Sequence, residues 1–134
     1  MTAVVEIEGI GETYASMLQS AGLDTTEALL GEGSSPAGRH EIAEKTGISE
    51  KLILKWVNHA DLFRINGVAG QYAELLEASG VDTVVELAQR NPANLTTKMD
   101  AVNESRNLVN RVPSESETAR WIEEAKTLPR QVSY

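Results

Sequence analysis

The amino-acid sequence predicts an all-α protein, and three features of its residue pattern support this prediction. Apolar residues recur every three or four positions, the spacing that places them on one face of a helix. Ser or Asn before Pro, which is typical of helix starts, and Gly after apolar stretches flank these segments. No run of alternating apolar and polar residues is long enough to predict a strand. We therefore expect about eight short helices packed as one core.

The chain also repeats itself, which indicates two copies of one helical unit. Residues 7–15 (IEGIGETYA) recur as residues 65–73 (INGVAGQYA), and Gly22 matches Gly80 at the same offset of 58 positions. Such a match over a whole helix and its flanking turns indicates duplication of the unit rather than a chance resemblance.

Further along the chain the offset between matching residues grows to 65, where Trp56 matches Trp121. The second copy therefore contains about seven extra residues in its middle, before Ser114. We predict two repeats, residues 1–62 and residues 63–134, each with a helix-hairpin-helix-like unit.

Two short helices are predicted at the start of the first repeat. The first covers residues 12–21 and ends where Gly22 supplies a left-handed residue. Asp24 and Glu27 have the spacing of a capping box, which predicts a short second helix followed by a flexible loop at residues 31–35.

Two longer helices complete the first repeat. Ser35 followed by Pro36 predicts the cap and first turn of a third helix, which ends near Gly47. Ser49 is predicted to cap a fourth helix, which carries a continuous apolar stripe. The stripe consists of Leu52, Ile53, Trp56, Val57 and Ala60.

The second repeat is predicted to follow the same plan. Its first helix ends at Gly80, and Thr83 with Glu86 predicts a second capping box. Asn91 followed by Pro92 starts a helix. Ser114 with Glu117 caps the last helix, which Pro129 ends. The inward-facing residues of these helices are Tyr72, Leu75, Leu76, Ser79, Leu95, Met99, Val102, Trp121, Ala125 and Leu128.

The candidate functional element is the hairpin that precedes the first helix of each repeat. It has the pattern apolar-x-Gly-apolar-Gly, in which the glycines permit a tight turn. Backbone amides at the start of the following helix then face outward and favour an anion. The first hairpin is residues 7–11, and the second is residues 65–70, where Ala69 replaces the second glycine and Gly70 follows it. The candidate binding residues are Gly9, Ile10, Gly11, Arg64, Gly67, Val68, Ala69 and Gly70.

The sequence resembles known families at these hairpins. Residues 9–30 and 47–60 are similar to the small helical domain at the N-terminus of archaeal and eukaryotic recombinases. The whole chain more closely resembles a bacterial family of tandem helix-hairpin-helix proteins classed as a domain of unknown function. Besides the hairpins, the segments that carry this resemblance include KTGISEKLIL (45–54), GVDT (80–83), AQRNP (88–92) and AKTLP (125–129). The resemblance implies an all-helical fold and DNA binding through hairpin amides, and it supplies no established activity.

The charge of the chain opposes the binding of an anion, more strongly in one repeat than in the other. Lys and Arg number 12 against 20 Asp and Glu, a net charge of −8. The first repeat holds four basic and ten acidic residues, and the second holds eight and ten. Glu6, Glu8 and Glu12 surround the first hairpin, whereas the second has Arg64 nearby and no acid adjacent in sequence. The second hairpin is therefore the better candidate for a phosphate.

The sequence contains no set of residues that predicts catalysis, and we expect no enzyme activity, cofactor or metal. The absence of cysteine excludes thiol nucleophiles and thiolate metal sites. Residues 40–44 (HEIAE) resemble the start of a helical zinc motif but lack its second histidine, and His59 is the only other imidazole. Residues 31–39 are glycine-rich but lack the Gly-Lys-Ser/Thr ending of a P-loop. Trp56 and Trp121 are interpreted as core anchors.

These observations favour a non-catalytic docking or scaffolding module whose partner is a protein. The alternative is weak, sequence-independent DNA binding, mainly through the second hairpin and Arg64. A third interpretation is structural, in which the hairpin glycines serve only the tight turns. No apolar run reaches the ~20 residues of a membrane span, and the first residues lack the basic and apolar parts of a signal peptide. We expect a cytoplasmic protein without a membrane partner; its oligomeric state is not specified by the sequence.

Overall fold

The computed structural model describes residues 2–134, and within this range it contains eight α-helices and one short 3-10 helix but no strand. The all-α class predicted from the sequence is confirmed. No helix in this range is long and apolar enough to cross a membrane. The 3-10 helix is Val4–Glu6, and the α-helices are α1 Glu12–Ser20, α2 Thr26–Gly33, α3 Pro36–Thr46, α4 Glu50–Leu62, α5 Gly70–Ala78, α6 Val84–Ala88, α7 Pro92–Arg106 and α8 Glu115–Lys126.

The helices belong to two compact units, and each unit buries a set of apolar side chains. The first unit comprises the described residues up to Asp61 together with Gln131–Tyr134, and the second unit comprises Leu62–Arg130. Burial of these side chains is the main favourable contribution to folding. In the first unit the largest fully buried residues are Ile7, Leu18, Leu29, Ile53 and Trp56. In the second unit they are Leu62, Ile65, Leu75, Leu76, Leu87, Leu95 and Met99.

Four predicted helix starts are confirmed because their capping residues make the expected hydrogen bonds. One of them is α4, where the side-chain oxygen of Ser49 accepts a bond from the Leu52 N–H at 3.2 Å. The side-chain oxygen of Ser35 accepts a bond from the Gly38 N–H at 3.1 Å and so caps α3. Asn91 caps α7 in the same way. At α8, Ser114 and Glu117 each accept a bond from the other's backbone N–H, which completes the predicted capping box.

Glycines at the predicted helix ends adopt the left-handed conformation. Gly22, Gly47 and Gly80 have φ values of 82°, 75° and 94° after α1, α3 and α5. The chain reverses at Gly22 and Gly80 with matching hydrogen bonds, because the next residue donates back to the carbonyl five positions earlier. Helix α7 ends differently, at Asn107 with φ 50°, one of the few residue types that tolerates this region.

The predicted capping box at Asp24 and Glu27 is wrong because α2 begins one residue later than it requires. Thr25 is the N-cap, and its side-chain oxygen accepts a hydrogen bond from the Ala28 N–H at 3.0 Å. The Glu27 carboxylate instead accepts a bond from the Thr2 N–H at 3.2 Å. The N-terminal segment therefore pairs with the start of α2 and holds the position at which the helix begins.

The second predicted capping box, at Thr83 and Glu86, is also wrong in its bonding. Thr83 is the N-cap of α6, but its side chain makes no capping bond to the helix. Its hydroxyl donates instead to the Glu86 carboxylate at 2.9 Å, and that carboxylate also accepts the Asp82 N–H at 3.2 Å. Glu86 thus accepts the N–H of Asp82, the residue before the N-cap, and this bond holds the chain where it enters α6.

The flexible loop predicted at residues 31–35 is wrong because α2 continues through Gly33. Gly33 is buried, and a Cβ atom there would lie 2.5 Å from Cγ2 of Val57. The absence of a side chain at Gly33 therefore allows α2 to pack closely against α4. In the sequence, glycines that serve close packing are not distinguishable from glycines that mark a loop.

The first unit also contains the segment Gln131–Tyr134, which Arg39 holds in place. The buried Arg39 guanidinium donates to the Gly33 carbonyl at 2.8 Å and to the Ser133 carbonyl at 2.7 Å. The Ser133 N–H donates to the Ser34 carbonyl at 2.8 Å, and Val132 is buried. Arg39 thus joins the end of α2 to this segment through hydrogen bonds to two carbonyl groups.

Candidate functional site

The first hairpin is a tight turn centred on Gly9, which has φ 92°. The Ile7 N–H donates to the Val4 carbonyl at 3.0 Å, and the Ile10 N–H donates to the Ile7 carbonyl at 3.1 Å. Ile7 and Ile10 are buried, whereas Gly9 and Gly11 are exposed. The apolar positions of the motif therefore anchor the turn in the unit and leave its glycines at the surface.

The second hairpin has the same backbone geometry. Gly67 also has φ 92°, the Ile65 N–H donates to the Leu62 carbonyl, and the Val68 N–H donates to the Ile65 carbonyl, both at 3.1 Å. Ile65 and Val68 are buried in their unit as Ile7 and Ile10 are in theirs. The turn therefore forms although the second glycine of the motif is absent.

The backbone at Ala69 explains why that glycine is dispensable. Ala69 and Gly11 are the N-caps of α5 and α1, and both are extended, with φ −127° and −86°. Any residue with a side chain adopts such angles, so glycine has no conformational advantage at this position. Gly70 is the first residue of α5 and is buried, so it belongs to the helix rather than to the turn.

A buried tryptophan lies beneath each hairpin, as expected for the core anchors. A Cβ atom added to Gly9 would lie 3.8 Å from Nε1 of Trp56, and one added to Gly67 would lie 3.3 Å from Nε1 of Trp121. Tyr14 packs against Trp56 with 5.0 Å between ring centroids, an edge-to-face contact. The equivalent pair in the second unit is Tyr72 with Trp121, at 5.7 Å.

The helices that follow the hairpins begin without a side-chain cap. Neither Gly11 at α1 nor Ala69 at α5 provides a capping hydrogen bond, in contrast to Thr25, Ser35 and Asn91 at α2, α3 and α7. The backbone N–H groups of the first turn of α1 and of α5 therefore lack the usual side-chain acceptor. This is the arrangement that the motif predicts for an anion-binding helix start.

The second hairpin nevertheless has a carboxylate against it, which the sequence around the hairpin does not contain. Both oxygens of Glu124 in α8 accept the Asn66 N–H, at 3.1 and 3.3 Å. Glu124 lies three positions after Trp121, so the two side chains share a face of α8 and reach the same hairpin. That helical spacing is the signal that could have identified Glu124 from the sequence.

Arg64, the predicted cation of the second hairpin, is engaged within its own unit. Its guanidinium donates to the Pro129 carbonyl at 2.8 Å, beyond the end of α8. Arg64 is half-buried rather than fully exposed. The second hairpin thus has a basic residue, Arg64, just before it in the chain and an acidic residue, Glu124, bonded to it from α8. The two residues have opposite effects on the binding of an anion there.

Among residues 2–134, no group of three or more His, Asp or Glu side chains is arranged so that it could hold a metal ion. His40 is exposed, with ring nitrogens 3.4 Å from a Glu44 oxygen and 3.2 Å from a Glu50 oxygen. The hydrogen bond to Glu50 raises the pKa of His40 above its usual value. These contacts place the exposed His40 ring between carboxylates of α3 and α4, which favour its protonated form.

The first unit also contains a cleft that sequence analysis did not identify. Its volume is about 290 Å³, and it lies where the C-terminal part of α2, the last turns of α3 and the end of α1 meet. Its lining includes Gly22, Gly31, Glu32, Glu41 and Lys45. The glycine-rich stretch at residues 31–35 predicts a loop, whereas Gly31 lies inside α2 and lines this cleft.

The fold and the hairpins define an all-α protein of two compact units, each with a glycine turn above a buried tryptophan. Residues 8–128 match the domain of unknown function DUF4332. This match covers most of the chain, so the protein belongs to that family, and the prediction of a family of unknown function is confirmed. No curated protein matches the chain, and no solved structure does.

Proposed function

We propose that this protein is a non-catalytic docking module whose partner is a protein that presents positive charge. The observation that supports this function is the carboxylate found at each hairpin. Glu12 lies in the first turn of α1, and Glu124 accepts the Asn66 N–H at the second hairpin. The overall charge of −8 favours a basic partner in the same way.

We classify the hairpins as helix-hairpin-helix-like elements that present a surface for contact. The second hairpin follows α4 in the chain and leads into α5, and the first follows the 3-10 helix and leads into α1. Both expose the turn glycine while burying its apolar neighbours. Small exposed residues on a rigid turn allow a partner backbone to approach closely, which suits docking.

The electrostatic balance at the hairpins argues against a phosphate. A helix start contributes roughly half a positive charge, whereas a carboxylate contributes a full negative one. At the first hairpin a phosphate would face Glu8 and Glu12, and at the second it would compete with Glu124 for the Asn66 N–H. A carboxylate at each hairpin therefore opposes the attraction of the amides for a phosphate.

The alternative function is weak, sequence-independent DNA binding, and the uncapped starts of α1 and α5 favour it. Contacts would centre on Arg64 and the backbone from Gly67 to Gly70. Binding through about two or three phosphates would be weak and would decrease with salt.

Fluorescence anisotropy with duplex and single-stranded DNA, at low and moderate salt, separates the two functions. We expect no saturable binding by the wild type at either salt concentration. Saturable binding that weakens steeply with salt and is lost in Arg64→Glu would overturn the proposal in favour of DNA. Glu124→Gln should increase DNA affinity if the second hairpin is the binding surface, because it removes the carboxylate that competes for the Asn66 N–H.

Affinity capture tests the protein partner directly. Tagged protein is exposed to nuclease-treated extract of the native cells at low salt and at high salt, and bound proteins are quantified. We expect a basic protein in stoichiometric amount at low salt that is released at high salt. Absence of any stoichiometric protein at both salt concentrations would contradict the docking function.

A further inference from the structure

We propose that Asn66, in the second hairpin, is a site of spontaneous deamidation, in which its side-chain amide is converted to a carboxylate. This modification lies beyond the proposed docking function, because it concerns the chemistry of the hairpin itself and requires no partner. Three features of the turn support it: the residue that follows Asn66, the exposure of both residues, and the hydrogen bonds that their shared peptide group lacks.

The sequence of the turn favours the reaction. Asn66 is followed by Gly67, and this is the only Asn-Gly pair in the chain. Asparagine is one of the thermolabile residues of proteins. Its deamidation begins when the backbone nitrogen of the next residue attacks the side-chain carbonyl carbon. A side chain on that next residue hinders the attack, and glycine has none.

The reaction proceeds in two steps and requires only water. The Gly67 nitrogen gives up its proton to solvent and bonds to Cγ of Asn66, while the side-chain nitrogen leaves as ammonia. The product is a cyclic imide. Water then opens the ring at Cγ to give aspartate, or at the main-chain carbonyl carbon to give isoaspartate. Asparagine and water thus become aspartate or isoaspartate and ammonia, without oxidation or reduction.

The peptide group between Asn66 and Gly67 is exposed and weakly held. Both residues are exposed, whereas Ile65 and Val68 on either side are buried. The Asn66 N–H is bound by Glu124. Among the residues that the structure describes, none bonds to the Gly67 N–H or to the Asn66 carbonyl. This peptide group can therefore rotate while Ile65 and Val68 stay in the core.

The closed turn keeps the reacting atoms apart, so deamidation requires that rotation. Gly67 has φ 92° and Asn66 has no positive φ, and the Val68 N–H donates to the Ile65 carbonyl, which together define a type II turn. The second residue of such a turn has ψ of about +120°, which directs the next nitrogen away from its Cβ atom. The rate in the folded protein therefore depends on how often the hairpin opens.

Glu124 slows the reaction in two ways. Its carboxylate accepts the Asn66 N–H at 3.1 Å and so holds the turn closed. Its negative charge also opposes the loss of a proton from the adjacent Gly67 nitrogen. Both effects act in the same direction, so Glu124→Gln should accelerate deamidation.

Deamidation makes the second hairpin resemble the first in charge. Residue 66 matches Glu8 at the repeat offset of 58 positions, so the new carboxylate lies where the first hairpin already has one. One added negative charge changes the net charge from −8 to −9. The hairpin then attracts a basic partner more strongly. Only this last consequence rests on the proposed docking function.

The test incubates the full-length protein at neutral and mildly alkaline pH and follows each asparagine by peptide mapping with mass spectrometry. We expect conversion at Asn66 to accumulate over days, faster at the higher pH and several-fold slower than in urea-unfolded protein. Asn110 is the internal reference, because it is exposed but precedes Arg111, and it should remain unmodified. Asn66→Gln should show no conversion at this position, since glutamine forms the larger ring slowly.

A matched pair of variants tests the role of Glu124. Glu124→Gln should raise the rate at Asn66 several-fold, whereas Glu123→Gln, an equal charge change one position away on α8, should leave it unchanged. Urea unfolding of both variants checks that the second unit remains folded under the incubation conditions. An unchanged or lower rate in Glu124→Gln would contradict this role.

Two results would overturn the proposed site. They are an unmodified Asn66 in folded protein after the urea-unfolded protein is fully converted, and conversion at Asn110 as fast as at Asn66. Capture of a basic partner by Asn66→Asp is measured separately, and we expect more retained protein than with the wild type. If Asn66 is converted but no partner is captured, the modification stands and the docking function fails. If a partner is captured but Asn66 stays unmodified, docking stands and this site fails.

Discussion

The two hairpins share a backbone but acquire their negative charge by different routes. Gly9 and Gly67 have the same φ of 92°, and each turn is closed by the same pair of hydrogen bonds. The first hairpin has acids next to it in sequence, Glu8 and Glu12, whereas the second has Glu124, which lies 58 residues from Asn66. The comparison teaches that a turn motif determines where backbone amides point, while surrounding helices determine whether an anion can reach them.

The largest expected effect comes from removal of the tryptophan beneath either hairpin. Trp56→Ala and Trp121→Ala should each lower the free energy of unfolding by about 3–5 kcal/mol, because each leaves a cavity under a buried aromatic pair. Urea unfolding followed by circular dichroism measures this loss. Met17→Ala, at a position 37% exposed, is the control and should change stability by less than about 0.5 kcal/mol. A loss of unfolding free energy below about 1 kcal/mol in either variant would show that this tryptophan does not support the hairpin above it.

The turn glycines should distinguish the hairpins by the space beneath them. Gly9→Ala and Gly67→Ala each place a side chain in the left-handed region, which costs roughly 1–2 kcal/mol. Gly67→Ala should cost more, because its methyl group would lie 3.3 Å from Trp121 rather than 3.8 Å from Trp56. Thermal unfolding of the two variants measures the difference. Equal costs would mean that Trp121 moves aside, and the packing difference would then carry no energy.

The N-cap positions should be less sensitive, because their backbone angles are ordinary. Gly11→Ala should change stability by less than about 1 kcal/mol, since alanine restricts the unfolded chain but is less favourable than glycine at an N-cap. Ala69→Gly should change stability by a similarly small amount for the same two reasons. If Gly11→Ala instead costs as much as Gly9→Ala, the two hairpins do not share the conformation described above.

The smallest expected effects are on the pH dependence of stability. One contribution in the second unit is lost as the pH falls, and one in the first unit is lost as the pH rises. In the second unit, hydrogen bonds from Arg111 and from the Ser114 N–H lower the pKa of Glu117 from its usual 4.5 to about 2. Its contribution to stability is therefore complete above pH 4.5 and is lost as the pH falls toward 2. In the first unit, the hydrogen bond to Glu50 raises the pKa of His40 above its usual 6.5. Its contribution is complete below pH 6.5 and is lost as the pH rises through the raised value.

NMR titration of the Glu117 carboxyl and the His40 ring measures both pKa values directly. Arg111→Ala should return the pKa of Glu117 toward 4.5, and Glu50→Gln should return that of His40 toward 6.5. Both pairs are solvent-exposed, so solvent screening keeps their contribution to unfolding small. A pKa of Glu117 that does not respond to Arg111→Ala would show that the ion pair is not formed in solution.

Local signals in the sequence predicted most helices because they act between residues a few positions apart. The capping box of Ser114 and Glu117, the Ser35 cap and the stop at Gly22 each depend on one turn of chain. The same reasoning failed at Asp24 because the start of α2 is held by Thr2, more than twenty residues away. Long-range hydrogen bonds of this kind leave no periodic trace in the sequence.

The candidate site was likewise predictable only where it depends on residues close together in the chain. The turn at Gly9 and Gly67 follows from the glycine pattern, because only glycine readily adopts positive φ beneath a packed turn. The carboxylate of Glu124 does not follow from that pattern, since it depends on how α8 packs against the second hairpin. The cleft at Gly31 was missed because glycine in a helix has the same local signature as glycine in a loop.

The segment Gln131–Tyr134 makes the first unit discontinuous along the chain. The second unit is one uninterrupted stretch, whereas the first includes a contact between Ser133 and Ser34, which lie 99 residues apart. A contact across so long a separation requires closure of a large loop, which slows its formation. We therefore expect the second unit to complete its folding during synthesis before the first, so the half of the protein made earlier is the last to be finished.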